Sequence, residues 1–395
     1  MTRPFRRRIL YIPGFDPIPP RRYREMFRRE SARQAGISGY RIAPSPRQRG
    51  TGFGWCSIGH FSDGEAEARF EVLIWDDLVQ ASMRHGIPAT YAQLVTTAWI
   101  YIGTGTLFRL MRLRRGPVLA ALYPVAMLLL QGLLALALGA VAGWAGARLG
   151  GWWLGLPLAA LVACALLIWF RRLDGRLYAH YLMHDYAFTA RDRGAYPEAL
   201  EARLARFSDQ LAGALNEEVD EVLVVGHSSG AYLAVSLLAD VIRSGRVPPQ
   251  GPALALMTLG QVVPMASFLP RADRLRADLA FLSEQPGIFW LDVSAPGDAC
   301  CFGLCDPVAV SGVAGPGQRW PLVVSAAFTR TLSPQMQRSL RHRWFRLHFQ
   351  YLHAFDRPGD YDYFAITAGP RPLASRFAAR SHSPGRITRP VGRRP

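Results

Sequence analysis

Apolar and polar positions alternate in short blocks over the first hundred residues and again beyond residue 190; between them lies a long, almost wholly apolar region. Ile9-Leu10-Tyr11-Ile12, ending at Pro13-Gly14, reads as a buried strand. The pattern then predicts a basic helix from Arg21 to Gln34, a short strand at Tyr40–Ala43, a Gly-rich loop over Gly50–Gly59 and a strand from Glu67 to Trp75. Leu78 to Phe108 reads as one helix running toward the apolar region. Beyond that region, a helix over Pro197–Asn216 is followed by a strand at Glu221–Val225, a helix from Ser229 to Ile242 and an apolar run at Ala253–Leu259. A helix at Arg271–Leu282 then leads to a strand at Ile288–Val293. Such alternation predicts an α/β fold, a mostly parallel sheet flanked by helices. Neither half supplies enough strands alone. One domain built from residues 1–108 and 177–370, interrupted by an insertion over 109–176, is therefore expected.

The insertion reads as a transmembrane hairpin. Pro117–Ala147 and Leu149–Phe170 contain no charged residue. Helices over Val118–Ala142 and Trp152–Phe170 span roughly 37 and 28 Å, against a hydrocarbon core of about 30 Å. A pair of buried core helices is the soluble alternative. Arg109, Arg112, Arg114 and Arg115 precede the first span, Arg171, Arg172 and Arg176 follow the second, and only Arg148 lies between. The positive-inside rule then puts both termini and both halves of the domain in the cytoplasm, on a multi-pass protein of a bacterial inner membrane. Trp144, Trp152 and Trp153 suit the far interface, and Gly139 and Gly143 form a GxxxG pair able to bring the helices close. Met1–Arg8 is basic but leads only into a short apolar run, so no secretory signal is expected.

Composition narrows the chemistry. Of 395 residues, 50% are apolar and 19% charged, which excludes a disordered chain or a coiled-coil rod. The net charge is +17, and every basic residue other than His is Arg. Without lysine there is neither Schiff-base chemistry nor a P-loop. The arginines cluster at the spans and termini, so anionic lipid is the expected partner and nucleic acid is not. Arg371 to the end, rich in Arg and Pro and free of acids, is expected to be a disordered tail that touches lipid headgroups. Five cysteines, an odd number, argue against a disulfide scaffold.

The sharpest motif is Gly226-His227-Ser228-Ser229-Gly230, set between the apolar run Glu221–Val225 and the helical run Ala231–Leu238. A strand-to-helix turn this tight strains Ser228 and lifts its hydroxyl to the carboxyl edge of the sheet. A Gly-rich turn holding a structural serine is the plain alternative. With these flanks the chain resembles the α/β-hydrolase superfamily, esterases and lipases in particular, over residues 8–100 and 190–365. The resemblance implies a triad in the order Ser, acid, His. Its acid falls just beyond a late strand, which points to Asp298, with Asp306 as rival; Asp292 lies inside the strand. Of His342, His348, His353 and His382, the family pattern favours His348 over His353. Ser229 N–H and Phe15 N–H are the implied oxyanion donors, although Pro13 stands where lipases carry His.

The implied activity is that of a membrane-anchored serine hydrolase. It cleaves a carboxylic ester, a lipid or another amphipathic acyl compound, through an acyl-enzyme and without a cofactor. The alternative is a catalytically silent membrane scaffold of the same fold. Cys300, Cys301 and Cys305 read as structural thiols, and His180 and His184 as part of an interfacial helix, so no metal is expected. Oligomeric state stays open.

Overall fold

The computed structural model describes residues 3–17, 19–46, 52–84 and 86–392. Eight strands form one mixed, mostly parallel sheet: β1 (Phe5–Ile12), β2 (Arg41–Pro46), β3 (Gly54–Phe61), β4 (Gly64–Val72), β5 (Glu221–His227), β6 (Ala253–Leu259), β7 (Ile288–Ser294) and β8 (Leu322–Ser325). Their order is β2-β3-β4-β1-β5-β6-β7-β8. From β4 to β8 every neighbouring pair is parallel, whereas β2 and β3 join antiparallel at one edge. Strands from both sides of the apolar region thus make a single sheet, with β1 between β4 and β5. The central strand β5 is buried along its whole length, as its β-branched sequence requires.

Twelve helices in chain order matter here: α1 (Arg21–Ser38), α2 (Asp76–Met83), α3 (Ile87–Gly103), α4 (Thr106–Leu113), α5 (Arg115–Gly150), α6 (Trp152–Arg172), α7 (Asp174–Leu177), α8 (Ala179–Arg191), α9 (Glu198–Leu215), α10 (Ser229–Arg243), α11 (Val263–Ser267) and α12 (Asp273–Ser283). One face of the sheet packs on Tyr23 and Phe27 of α1 and on a C-terminal layer that includes Tyr351, Phe355 and Phe364. The other face packs on α9, α10 and α12 through residues such as Leu204, Leu237 and Leu279.

Among the described residues, α5 and α6 are the two helices long enough and apolar enough to cross a membrane. They pair antiparallel through small residues. A Cβ added to Gly139 would lie 2.8 Å from the Ala159 carbonyl, and one on Gly143 would lie 2.8 Å from the Ala159 Cβ. Close helix contact of this kind is what small-residue spacing permits.

Four expectations change. The loop at Gly50–Gly59 is a strand from Gly54 on, because Trp55 and Ser57 point inward while Ile58 points out, and this alternation outweighs the glycines; Gly50 and Thr51 lie outside the described residues. The single helix Leu78–Phe108 is three, broken before Pro88 and at Gly105, whose φ of +69° no helix accepts. β1 begins four residues early, since Arg7 and Arg8 are buried strand residues paired with Glu221 and Glu71. Residues 371–392, expected to be disordered, are held against the domain, with His382 and Ser383 beside β8 and Ile387 to Gly392 against the connection from β7 to β8. Ser383 N–H donates to Val323 O (2.9 Å), Ser325 N–H donates to Ser383 Oγ (2.9 Å), and Arg386 pairs with Asp306. Composition is blind to this, because much of the holding is done by backbone bonds to residues far away along the chain, among them Leu304, Asp306, Val310 and Val323.

Candidate active site

The carboxyl ends of the parallel strands converge on one cavity of about 520 Å³. Ligands in open α/β sheets collect at this edge. β5 delivers Ser228, which has φ 56° and ψ −120° and stands immediately before α10. A non-glycine residue held there is strained, and the surroundings enforce it. Ser228 N–H donates to Leu259 O (2.9 Å), and Ala231 N–H donates to Ser228 O (3.1 Å). Gly230 is required for the crossing, since a Cβ would come within 2.2 Å of Ile12 O. Ser228 itself is half-buried and faces the cavity.

The loop after β1 lies against this serine. A Cβ on Gly14 would sit 2.9 Å from Ser228 Cβ, so only glycine lets the loop approach. Phe15 packs against Trp75 and Phe188, and its carbonyl accepts from Tyr181 Oη–H. Both Phe15 and Ser229 line the cavity. Among the described residues neither backbone N–H has a protein acceptor.

Asp298 lies on the loop after β7, and His348 ends a short helix, Trp344–His348, well beyond β8. His348 Nδ1 lies 2.7 Å from Asp298 Oδ2, with both side chains buried. The carboxylate also accepts from Tyr351 Oη–H (3.1 Å) and from Cys300 N–H (2.9 Å). Burial alone raises its pKa, but the charge and hydrogen bond of His348, together with the bonds from Cys300 N–H and Cys301, hold the carboxyl below its ordinary value. His227 Nε2–H donates to the His348 backbone carbonyl (3.1 Å), and the two rings stand 4.8 Å apart. Burial, reinforced by the His348 charge, pushes the His227 pKa down to about 3, so its ring is neutral. His348 shares the cavity with Ser228; among the described residues no hydrogen bond joins them.

Of the rival residues, His342 also lines the cavity, at a φ of +67°, while the others are engaged elsewhere. Asp306 caps a helical turn by accepting from Val308 N–H and Ala309 N–H, and it pairs with Arg386. Asp292 is buried in β7 and accepts from Thr258 Oγ1–H (2.6 Å). His353 is tied to Phe349 O (2.7 Å). His382 accepts from Val323 N–H (3.1 Å).

Three residues around the cavity or its acid escaped the sequence reading. Asp185, on α8, has its carboxyl at the cavity wall, where burial pushes its pKa up to about 7 against the lowering effect of the His348 charge. His227 is the variable position of the pentapeptide, and Tyr351 lies three residues after His348; nothing in local pattern marks either as a buried hydrogen-bond partner. Asp298, Cys300 and His348 also bring one carboxylate oxygen, one thiol and one ring nitrogen within 4.8 Å of one another. Burial raises the Cys300 pKa well above its ordinary value. All five cysteines are free thiols.

The chain matches no known protein-family description, no curated protein and no solved structure.

Proposed function

We propose that the protein is a membrane-anchored serine hydrolase of α/β-hydrolase type that cleaves a carboxylic ester. The observation that carries this reading is the buried Asp298–His348 pair placed at the same cavity as a strained Ser228. His348 Nε2 takes the Ser228 proton, while Asp298 accepts from Nδ1–H, fixes the tautomer and stabilises the imidazolium. Ser228 Oγ attacks the ester carbonyl, and the developing oxyanion is met by the N–H groups of Phe15 and Ser229. Collapse expels the alcohol, which takes the proton from His348. Water then hydrolyses the acyl-enzyme by the same proton path in reverse. The two apolar helices, the flanking arginines and a cavity bordered by Tyr181, Tyr186 and Phe345 suit an amphipathic acyl substrate. By the positive-inside rule the domain faces the cytoplasm.

A fluorophosphonate probe tests the reading on the whole protein in detergent or vesicles. Labelling of the wild type that disappears in Ser228→Ala is expected. A second reading, a catalytically silent membrane scaffold, draws on the missing Ser228–His348 hydrogen bond. Absent labelling of a folded wild type would favour it.

A further inference from the structure

From Leu78 to Leu173 the chain contains no Asp or Glu. Within this stretch α3 carries no charge at all, and one of its faces is uncovered: Val95, Trp99 and Ile102 are 65, 75 and 50% exposed, joined by Phe108 of α4 at 54%. The helix is nevertheless firmly held from behind. Tyr91 Oη–H donates to Leu128 O (2.9 Å), Tyr101 Oη–H donates to Met265 O (3.0 Å), and Leu94 packs with Leu128 of α5 and Met183 of α8.

The hairpin fixes the level at which this face lies. Gly139 faces Ala163, Gly143 faces Ala159, and Ala147 faces Gly155. Continued, this antiparallel register ends α6 beside Gly132, where an added Cβ would lie 3.3 Å from the Tyr91 ring of α3. Beyond that level α5 runs on without α6 from Gln131 back to Pro117, roughly 20 Å, packed on α8 and touched by α3 at Tyr91 and Leu94. Pro117–Ala147 is about 45 Å long, the thickness of a bilayer with its headgroup layers, whereas α6 matches the hydrocarbon alone. Leu119 and Leu129 of α5 are exposed as well, and Arg112 and Arg115 stand exposed at the end of α4 and the start of α5, whereas Arg109 and Arg114 reach back to the carbonyls of Phe268 and Gly303. An apolar face with a basic rim and no acid complements anionic lipid. Finally, Pro117, Ala120, Ala121 and Tyr123, in the first turns of α5, are part of the wall of the Ser228 cavity.

We propose that α3 and α4 are embedded in the leaflet nearest the catalytic domain and hold the mouth of the Ser228 cavity at headgroup level, so that the cavity is filled from the bilayer by the acyl ester of a lipid. The choice of an ester rests on the serine-hydrolase reading; the embedding of α3 and α4 does not.

Two measurements on the full chain in phosphatidylcholine–phosphatidylglycerol vesicles test this. The fluorescence difference between wild type and Trp99→Phe isolates Trp99. It is expected to be quenched by phosphatidylcholine brominated on its acyl chains and untouched by aqueous iodide. Quenching by iodide alone, or by neither agent because protein covers the face, overturns the proposal. Second, Val95→Glu with Ile102→Glu, both at exposed positions, is expected to lower hydrolysis of a vesicle-borne long-chain ester by about tenfold or more. A soluble short-chain ester should be cleaved as before. Equal rates on the vesicle-borne ester overturn loading from the bilayer. A wild type that cleaves neither ester and takes no fluorophosphonate defeats the hydrolase reading instead, and the Trp99 result still decides where α3 lies.

Discussion

His348 Nδ1 lies 2.7 Å from Asp298 Oδ2, joining buried side chains fifty positions apart, one on the loop after β7 and one at the end of a short helix. A hydrogen-bonded pair of this kind, facing a cavity, has the geometry of a base held in one tautomer by its acid.

The two candidate acids are therefore expected to fail differently. Asp298→Asn should lower kcat by roughly three to four orders of magnitude while leaving the fold intact, because the tautomer is lost. Asp306→Ala removes a helix cap and a partner of Arg386, so it should lower Tm with kcat retained in the folded fraction. Kinetics and thermal unfolding of both variants in detergent check this. A larger kcat loss in Asp306→Ala would reverse the assignment.

Gly14→Ala places a Cβ against the Ser228 Cβ. The expected outcome is a loss of about a hundredfold in kcat/KM through displacement of the hydroxyl. Fluorophosphonate labelling should slow in parallel. Unchanged labelling would mean that the loop yields and the serine does not.

Asp185 offers a pH signature. Its pKa is raised by burial from 3.8 to about 7, so across that window the folded chain binds a proton that the unfolded chain has released. Stability is then greatest at the acid end, falls as pH rises toward 7 and levels off above it. Asp185→Asn should raise Tm relative to wild type at pH 8 and leave it almost unchanged at pH 4. Equal differences at the two pH values would show that the carboxyl is solvated.

The pair Arg7–Glu221 is buried on both sides, and the guanidinium also donates to the carbonyls of Thr367 and Gly369 (2.8 Å for the latter). It ties β1 and β5 to the C-terminal segment. Arg7→Met strands the carboxylate and should cost about 3–5 kcal/mol, whereas Arg7→Met with Glu221→Leu should recover much of the loss. Urea unfolding of the single and double variants measures the difference. A single variant as stable as the wild type would mean that water reaches Glu221.

Where apolar periodicity carries the information, the chain is readable: β5, α10, β6 and β7 lie where alternation puts them, and the strained turn at Ser228 follows from its flanking runs. The meeting of Asp298 with His348 was legible only with the help of a resemblance. Spacing along the chain cannot distinguish an Asp that caps a turn from one that meets a histidine fifty residues later. Arg7 and Arg8 misled for a related reason, since a basic run looks solvated until its acidic partners arrive from β4 and β5. Asp185 carried no local mark at all, because its environment is made by α8, the cavity and a histidine from another part of the chain.

β1 lies between β4, which follows closely, and β5, which follows only after both long apolar helices. A ribosome thus releases β1 to β4 first, as a half-sheet with an open edge, then the hairpin, and only later the strand bearing Ser228. On the membrane reading, closure of the sheet waits until the hairpin has emerged and can enter lipid. On that reading, Ser228, Asp298 and His348 can come together only after the hairpin has been made.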